Sequence, residues 1–305
     1  MEKILKIGNM TWFHSSNPTA KDLEEIKDTY DLHEIIEDDL SETNTQDKID
    51  IYDDSMFLVL HFPKFNNRTK TYFTNEFNII LGKNFIISLT KYETNHIDKI
   101  REEYFEDLRE GKEDFKVSPY YILYVMIDVM YDKVLSGLNK FNKELNNIES
   151  GIFEGQKLNQ SLIERLLIKR RNSIVLKHIM IPQEEILEEL NKVTLKKYSG
   201  DLDVYFEDLQ YKQDRVMNYI STVNENTETL SDTYNSLMSI KTNSMISILT
   251  IFTAIIGIMT FITGLYGMNV SLPGQNYIYM FSLIIGGMIF IAVVTLFFFK
   301  RKGWL

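Results

Sequence analysis

The sequence predicts an α+β domain, followed by long helices and then by two transmembrane helices. Three observations support this fold class. Short β-rich runs fill residues 1 to about 115, long helical patterns follow from Pro119, and no charged residue occurs between Thr242 and Phe299. The first two patterns are typical of a soluble protein with a helical extension, and the third is typical of a membrane protein.

Residues 1–117 are the predicted α+β domain, and we expect this domain to be cytoplasmic because the N-terminus lacks the apolar core of a signal peptide. Three runs rich in β-branched and aromatic residues predict a mainly antiparallel sheet: Ser55 to Phe62, Lys70 to Gly82 and Lys83 to Thr90. Two helical patterns flank these strands: Thr19 to Leu32, near a Pro, and Asn95 to Gly111, which ends at a Gly.

Residues 118–200 are predicted to be a helical region similar to a coiled coil. Six apolar residues recur there at a spacing close to a coiled-coil seam: Ile127, Val134, Leu138, Leu145, Ile148 and Ile152. A second helical pattern runs from Leu158 to about His178. A third begins at Asp201 and meets no Pro or Gly before Gly257. We therefore predict one stalk helix over residues 201–266 that continues into the first transmembrane span.

Two apolar runs, Met245 to Tyr266 and Tyr277 to Phe299, are each long enough to cross a bilayer, which takes about 20 helical residues. Residues 267–276 connect them without a charge. Lys241 precedes the first run, whereas Lys300, Arg301 and Lys302 follow the second. By the positive-inside rule, both termini are cytoplasmic and the chain is a multi-pass protein of the cell membrane. A buried hairpin in a soluble protein is the alternative, but soluble helices seldom stay uncharged for so long.

The composition excludes several classes of function. The chain has no cysteine, so thiolate metal sites and disulfides are excluded. A formal net charge of -10 argues against a nucleic-acid partner, because phosphate binding needs a basic surface. The five histidines show no metal-ligand spacing, and the sequence has no P-loop, Rossmann glycine pattern or nucleophile elbow. We therefore do not expect an enzyme.

The predicted stalk helix carries a stripe of mostly small or polar residues, spaced by three or four positions. Its members are Asp232, Asn235, Ser239, Asn243, Ile246, Thr250, Thr253, Gly257, Thr260, Gly264 and Gly267. Close packing of helices through small residues is one interpretation. The other is that several copies surround an axis, so that each position becomes a ring of oxygen atoms suited to a hydrated hard cation. The second interpretation requires an oligomer, because two spans cannot enclose a pore alone.

The motif Tyr-Gly-Met-Asn at Tyr266 to Asn269, between two C-terminal spans and ahead of the basic end Phe299 to Leu305, resembles the CorA family of magnesium channels. Three further segments resemble the family's N-terminal domain: Asp31 to Leu40, Ile51 to Pro63 and Ile80 to Leu89. The segment Tyr205 to Leu209 is similar to the start of the family's stalk. The resemblance therefore covers essentially the whole chain.

This resemblance implies a funnel-shaped homopentamer in the lipid membrane, in which Mg²⁺ is both the transported and the regulatory ion. Gly267, Met268 and Asn269 would form the selectivity filter, where Asn269 holds Mg²⁺ through its water shell. Further implied rings are Asp232 in the stalk, Asn243, Ile246 and Leu249 at the cytoplasmic end, Thr260 below the mouth, and the basic residues Lys300, Arg301 and Lys302. Asp208 would sense cytoplasmic Mg²⁺ together with Glu93 or Asp98.

No organic cofactor is expected, and without an ATP motif the flux would be passive and driven by the membrane potential. Co²⁺ and Ni²⁺ are further candidate ions. A zinc-transporting relative on the same scaffold is one alternative, although such relatives carry a variant of the Gly-Met-Asn motif. A membrane-anchored coiled-coil scaffold without a pore is the alternative from another class; it explains the helices but not the polar stripe.

Overall fold

A computed structural model of the chain describes residues 4–30, 32–41, 44–109, 118–153, 160–197, 202–270 and 278–303. The chain divides into two compact units, Met1–Leu230 and Ser231–Leu305, and the division lies inside a helix. The domain divisions predicted from the sequence at residues 117 and 200 lie outside the described residues and stay predictions.

The first unit contains a six-stranded sheet with the order β1-β2-β6-β5-β4-β3. The strands are β1 Ile4–Ile7, β2 Met10–Ser16, β3 Lys48–Ile51, β4 Ser55–Asn66, β5 Thr71–Gly82 and β6 Phe85–Thr90. Neighbouring strands are antiparallel, except that β2 and β6 are parallel with Thr11 opposite Phe85. The mainly antiparallel sheet was therefore predicted correctly, whereas the short strands β1, β2 and β3 were not.

Eight helices accompany the sheet in the described ranges of the chain. They are α1 Ala20–Thr29, α2 Glu34–Ser41, α3 Asn95–Arg109, α4 Pro119–Phe153, α5 Gln160–Met180, α6 Gln183–Lys197, α7 Asp203–Tyr266 and α8 Met280–Arg301. The sequence did not predict α2 or α6. Thr19 caps α1, since its hydroxyl accepts from the Asp22 amide at 3.4 Å and the Asp22 carboxylate accepts from the Thr19 amide at 2.8 Å.

The sheet is buried on both faces, and β4 shows this most clearly. Met56, Leu58 and Leu60 pack into a core shared with residues of α3, α4, α5, α6 and α7, whereas Phe57 and Val59 pack into a second core with residues of α1 and α2. Alternate residues of a strand point to opposite faces, so an uninterrupted apolar run is needed here. The six apolar residues of the predicted seam in α4 are all buried, and Ile127, Val134 and Leu138 belong to the first core.

The described residues include two helices that are long and apolar enough to cross a membrane, Asp203–Tyr266 and Met280–Arg301. Asp203–Tyr266 is α7, and its uncharged C-terminal part continues from its charged N-terminal part without a break in the helix. The expected α+β domain, long helix and two transmembrane helices are thus confirmed. Tyr277, where the second span was expected to begin, lies outside the described residues, and α8 itself begins at Met280.

Candidate functional site

The predicted polar stripe lies on one face of α7, and every member of it on this helix is exposed in the single chain. These residues are Asp232, Asn235, Ser239, Asn243, Ile246, Thr250, Thr253, Gly257, Thr260 and Gly264, with Leu249 beside them. Because each residue of an α-helix turns the chain by about 100°, steps of three and four keep the side chains in one sector. The stripe is therefore a surface that the chain itself leaves uncovered.

The opposite face of α7 is the covered one. Between Lys241 and Tyr266, the residues that are not exposed are Ser247, Ile251, Ile255, Met259 and Ile262. They lie roughly half a helical turn away from the stripe. The described part of α8 has a corresponding line of less exposed residues: Met280, Ile284, Met288, Ala292, Thr295 and Phe299. We infer that α8 packs on the side of α7 that faces away from the polar stripe.

Two glycines of the stripe are not required by the fold of the single chain. A Cβ atom added at Gly257 or Gly264 would meet nothing within 4 Å beyond the helix itself. A small residue at these positions matters when another helix or a narrow passage approaches this face. Gly267 differs, because a Cβ atom there would lie 3.0 Å from the Thr263 carbonyl oxygen. At Gly267 the chain's own conformation favours glycine.

The threonines of the stripe use their hydroxyl hydrogens within the helix. Thr250 donates to the carbonyl of Ile246, Thr253 to that of Leu249, and Thr260 to that of Ile256, each at 2.8 Å. A hydroxyl has one donor hydrogen and two acceptor lone pairs, so each Oγ1 atom is left as an acceptor. A hydrated cation turns the hydrogens of its water shell outward, and acceptor oxygens can bind those hydrogens.

The Gly-Met-Asn motif follows the end of α7 directly. The Gly267 amide donates to the Thr263 carbonyl at 2.9 Å, and the Met268 amide donates to the Leu265 carbonyl at 3.4 Å, which tightens the last turn. Met268 and Asn269 are exposed. The C-terminal end of a helix carries partial negative charge, which favours a cation next to the motif. Residues 271–277, which include most of the predicted connection between the spans, lie outside the described residues.

The basic end of the chain closes α8. Lys300 and Arg301 occupy its last turn, and Lys302 is its C-cap residue. Positive side chains at this position interact favourably with the helix dipole. The Lys302 ammonium also lies 5.1 Å from the centre of the Phe298 ring. The basic cluster is therefore compatible with the helix end as well as with an inner membrane surface.

Asp208, the expected stalk sensor, lies on α7 in the first unit and is partly exposed. Tyr124 on α4 donates a hydrogen bond to its Oδ2 atom at 3.3 Å. Burial and the neighbouring carboxylates Asp128 and Asp208 raise the pKa of Tyr124, so this phenol keeps its proton and remains a donor. This contact was not predictable from local sequence, because the two residues are 84 positions apart.

The two expected partners of Asp208 have other neighbours. Glu93 lies in the turn before α3 with an exposed side chain, and its carbonyl accepts a hydrogen bond from Lys64 at 2.7 Å. An Asp98 carboxylate oxygen lies 4.0 Å from the Nε2 atom of buried His14. The described part of a single chain holds no group of three or more histidine or acidic side chains that could bind a metal ion. A sensor built from these residues would need a second copy of the chain.

Comparison with known proteins shows the family. The model of the CorA-like Mg²⁺ transporter proteins matches residues 8–301. The cobalt/magnesium transport protein CorA of Thermotoga maritima is 24% identical, over 97% of this chain and 82% of that protein. The zinc transport protein ZntB of Yersinia pseudotuberculosis is 21% identical, over 96% of this chain and 88% of that protein.

The fold agrees with a solved structure of the same kind. The complete structure of the CorA magnesium transporter from Methanocaldococcus jannaschii matches with a TM-score of 0.83 and 21% identity, covering 100% of this chain and 95% of that one. The match to a family of transporters also argues against the two rival classes of function, an enzyme and a scaffold without a pore. The chain belongs to the CorA-like Mg²⁺ transporter family and is a membrane transporter of divalent cations.

Proposed function

We propose that this chain conducts Mg²⁺ passively through a homopentameric pore lined by the polar stripe of α7. The observation that carries the proposal is the arrangement of the stripe. It is exposed along its whole length, lies opposite the covered face of the helix, and leads directly to Gly267, Met268 and Asn269. Several copies that turn this face to a common axis would convert each position into a ring of oxygen atoms or small side chains.

Asn269 is proposed as the selectivity residue. Mg²⁺ releases its waters reluctantly and prefers octahedral oxygen coordination, so an uncharged amide oxygen can bind its water shell without the cost of dehydration. The acceptor oxygens of Thr250, Thr253 and Thr260 would continue this environment along the passage. The segment Val270 to Asn276 carries no acidic residue, so attraction of cations to the mouth would rest on Asn269 and backbone carbonyls.

The proposed orientation places both termini in the cytoplasm. Lys241 and the basic residues Lys300, Arg301 and Lys302 flank the two spans, and the connection between the spans is uncharged. Mg²⁺ would then enter from outside, drawn by a negative potential worth about 2.3 kcal/mol per charge per 100 mV. Co²⁺ is a candidate further ion, since relatives named as cobalt/magnesium transport proteins match the chain. Ni²⁺ is a candidate from the sequence resemblance alone.

A direct test reconstitutes the full chain in liposomes that contain a Mg²⁺-sensitive dye. We expect Asn269→Ala to lower the Mg²⁺ flux by about tenfold or more, because the amide oxygen that accepts from the water shell of the ion is removed. Asn146→Ala on α4, which is also an exposed asparagine, is the matched control and should keep the wild-type flux. Equal Mg²⁺ fluxes in wild type and Asn269→Ala would contradict the proposed filter.

The same liposomes separate magnesium from zinc transport, the second candidate function. Zinc transport proteins of the ZntB type match almost the whole chain, so the alternative has a specific observation behind it. The intact Gly-Met-Asn motif favours Mg²⁺. A zinc-sensitive dye in parallel vesicles should therefore report slower uptake than the Mg²⁺ dye. Zinc uptake that exceeds Mg²⁺ uptake at equal concentrations would replace the first function by the second.

Regulation by cytoplasmic Mg²⁺ is proposed to act between copies of the chain, through Asp208 and either Glu93 or Asp98. Ions held between subunits would screen these acids and keep the pore closed. Asp208→Asn should then weaken inhibition of the current by internal Mg²⁺ while leaving the conducted ion unchanged. Asp214→Asn, which alters another exposed acid of α7, is the control. Inhibition at the wild-type Mg²⁺ concentration in Asp208→Asn would rule out this sensor.

A further inference from the structure

A cleft of about 750 Å³ opens in the first unit. Its walls come from the end of β4, the start of β5, the turn before α3 with the first residues of that helix, one face of α4 and two side chains of α5. Clefts of this volume are typical of sites for small molecules. Glu93, one candidate partner of Asp208, lines it, but none of the residues proposed for ion conduction do, so its lysines need a separate explanation.

The cleft has a charge opposite to that of the whole chain. Five lysines line it, Lys64, Lys99, Lys133, Lys140 and Lys169, against the two acids Glu93 and Glu144. Glu144 is neutralised by Lys169, whose ammonium lies 2.6 Å from its carboxylate. The chain as a whole has a formal net charge of -10. A concentrated positive charge on such a chain attracts anions to one place.

Three of these lysines are available to a ligand. Lys99, Lys133 and Lys140 are exposed and have no ion-pair partner in the described part of the chain. Lys99 lies near the start of α3, and Lys133 and Lys140 lie about two helical turns apart on one face of α4. All three side chains line the same cleft, as a multidentate anion site requires.

The start of α3 adds a second source of positive potential. Thr94, Asn95 and His96 line the cleft, and the helix begins at Asn95. The Thr94 carbonyl accepts from the amides of Ile97 at 3.1 Å and Asp98 at 3.4 Å. The first amides of a helix have no partner within it, and together with the helix dipole they bind phosphate groups. The lysines and the helix end therefore favour the same chemistry.

An apolar wall stands beside the charged groups. The rings of Phe65 and Tyr72 are partly exposed, and their centres are 5.0 Å apart. Burial raises the pKa of Tyr72 to about 12, so its ring carries no charge that would repel an anion. Asn75 fixes the adjoining turn, since its side chain accepts from the Tyr92 amide at 3.0 Å. A flat aromatic group can lie against such a wall while a charged group reaches the lysines.

We propose that this cleft binds a soluble nucleoside polyphosphate. The phosphate chain binds Lys99, Lys133 and Lys140 at the start of α3, and the base lies against Phe65 and Tyr72. The proposal is independent of ion conduction, because it concerns binding to the first unit and is measured without any flux. Inorganic polyphosphate could bind the lysines but has no base to contact Phe65 and Tyr72. The experiment must therefore distinguish binding of the phosphate chain from binding of the nucleoside.

The test is calorimetric titration of the full-length protein in detergent, with free Mg²⁺ held constant by a buffer because the ligands chelate this ion. ATP, inorganic tripolyphosphate and adenosine are the three probes. We expect ATP to bind more tightly than tripolyphosphate and adenosine not to bind measurably. Failure of ATP to bind at millimolar concentration, or binding of adenosine equal to that of ATP, would overturn the proposal.

Variants connect binding to the cleft. Lys99→Glu combined with Lys133→Glu should weaken ATP binding by about tenfold or more, because hydrogen bonds to charged groups are lost and repulsion is added. Lys143→Glu changes an exposed lysine of α4 that does not line the cleft, and it should bind ATP like the wild type. Equal affinity of the double variant and the Lys143 control would show that ATP binds elsewhere.

Phe65→Ala tests the apolar wall. It should weaken ATP binding by roughly threefold to tenfold, the loss expected for one aromatic contact, while tripolyphosphate affinity stays the same. If both affinities stay the same or fall together, the base does not bind this wall and the nucleoside part of the proposal is wrong. Circular dichroism of each variant verifies that the fold is retained.

Discussion

The two units of this chain bury their apolar residues by different means. In the first unit, residues 56 to 60 of β4 are fully buried between two layers of helices. In the second unit, large apolar side chains of both spans are exposed, including Phe261 at 71% and Phe290 at 69%. The first unit has its core within one chain, whereas the second must obtain its apolar surroundings from lipid and, as we propose, from other copies.

This contrast predicts opposite responses to the same substitution. Phe57→Ala removes a fully buried ring from the first unit, at a cost of about 3–5 kcal/mol, and should lower the unfolding temperature of the protein in detergent by on the order of 10 °C. Phe261→Ala removes an exposed ring from the second unit and should change the unfolding temperature by only a few degrees. Thermal unfolding followed by circular dichroism gives both values.

Equal shifts for the two phenylalanines would show that the second unit also depends on a core within the single chain. Two further variants strengthen the pair, since Phe62 is buried at 1% exposure and Phe290 is exposed at 69%. Phe62→Ala should follow Phe57→Ala, and Phe290→Ala should follow Phe261→Ala. The grouping by unit, rather than by residue type, is the expected result.

The glycines of α7 sharpen the comparison further, because their small size is not required by the single chain. Gly257→Leu meets no neighbour in that chain, yet it should reduce Mg²⁺ flux in liposomes by about tenfold or more if the stripe faces a narrow passage. Gly286→Leu on α8 is matched, since its surroundings are equally open. It should keep most of the flux, and equal fluxes in the two variants would exclude a pore-lining role for this stripe.

Much of the fold was predictable because its strongest signals are local. The run Ser55 to Phe62, the seam of α4 and the uncharged end of α7 each carry their own pattern over many residues. The elements that were missed depend on partners far along the chain. β2 is a strand through its parallel pairing with β6, 74 residues away at His14 and Ser88, and β1 and β3 have only four residues each.

The helix α6 was missed for a different reason. The second helical pattern was predicted to stop at about His178, before Pro182, and the turn at Ile181 and Pro182 does end α5. A proline is also well placed immediately before or at the first residue of a new helix, since its missing amide needs no partner there. The sequence Gln183–Lys197, rich in Glu, Leu and Lys, then continues as a helix of 15 residues.

The candidate sites divide in the same way. The stripe of α7 lies on one helix, so residue spacing alone indicated that its members share a face. The contact of Tyr124 with Asp208 and the basic cleft join residues from separate elements. Nothing in the local sequence distinguishes Lys133, which lines the cleft, from Lys143, which does not. Only the fold separates these two lysines.

Buried charge gives the smallest expected effect, and it belongs to the first unit. The Nδ1 atom of His61 lies 2.5 Å from the Oδ1 atom of Asp47, and both side chains are buried. Burial alone would lower the pKa of His61, but the bond to Asp47, its charge and the Asn44 carbonyl together raise it. Burial also raises the pKa of Asp47 despite His61. Within this pair, His61 determines the pH dependence near neutrality, because histidine is the partner that titrates there.

A histidine whose pKa is raised on folding stabilises the protein fully below its unfolded pKa of about 6.5 and loses that contribution as pH rises through the folded value. Asp47, whose pKa is also raised, contributes to the pH dependence of stability with the same sign. His14 contributes with the opposite sign, since burial lowers its pKa to about 4. Its contribution to stability changes only at pH values below 6.5. As the pH is raised above 6.5, the unfolding temperature should therefore decline more in the wild type than in His61→Gln.

The control for this difference is His178→Gln, which changes an exposed histidine of α5. It should keep the pH dependence of the wild type, even if its unfolding temperature differs slightly. His61→Gln removes the titrating group, so its profile above pH 6.5 should be flatter whatever its absolute stability. Parallel profiles for the wild type and His61→Gln would mean that the pair with Asp47 does not link protonation to folding.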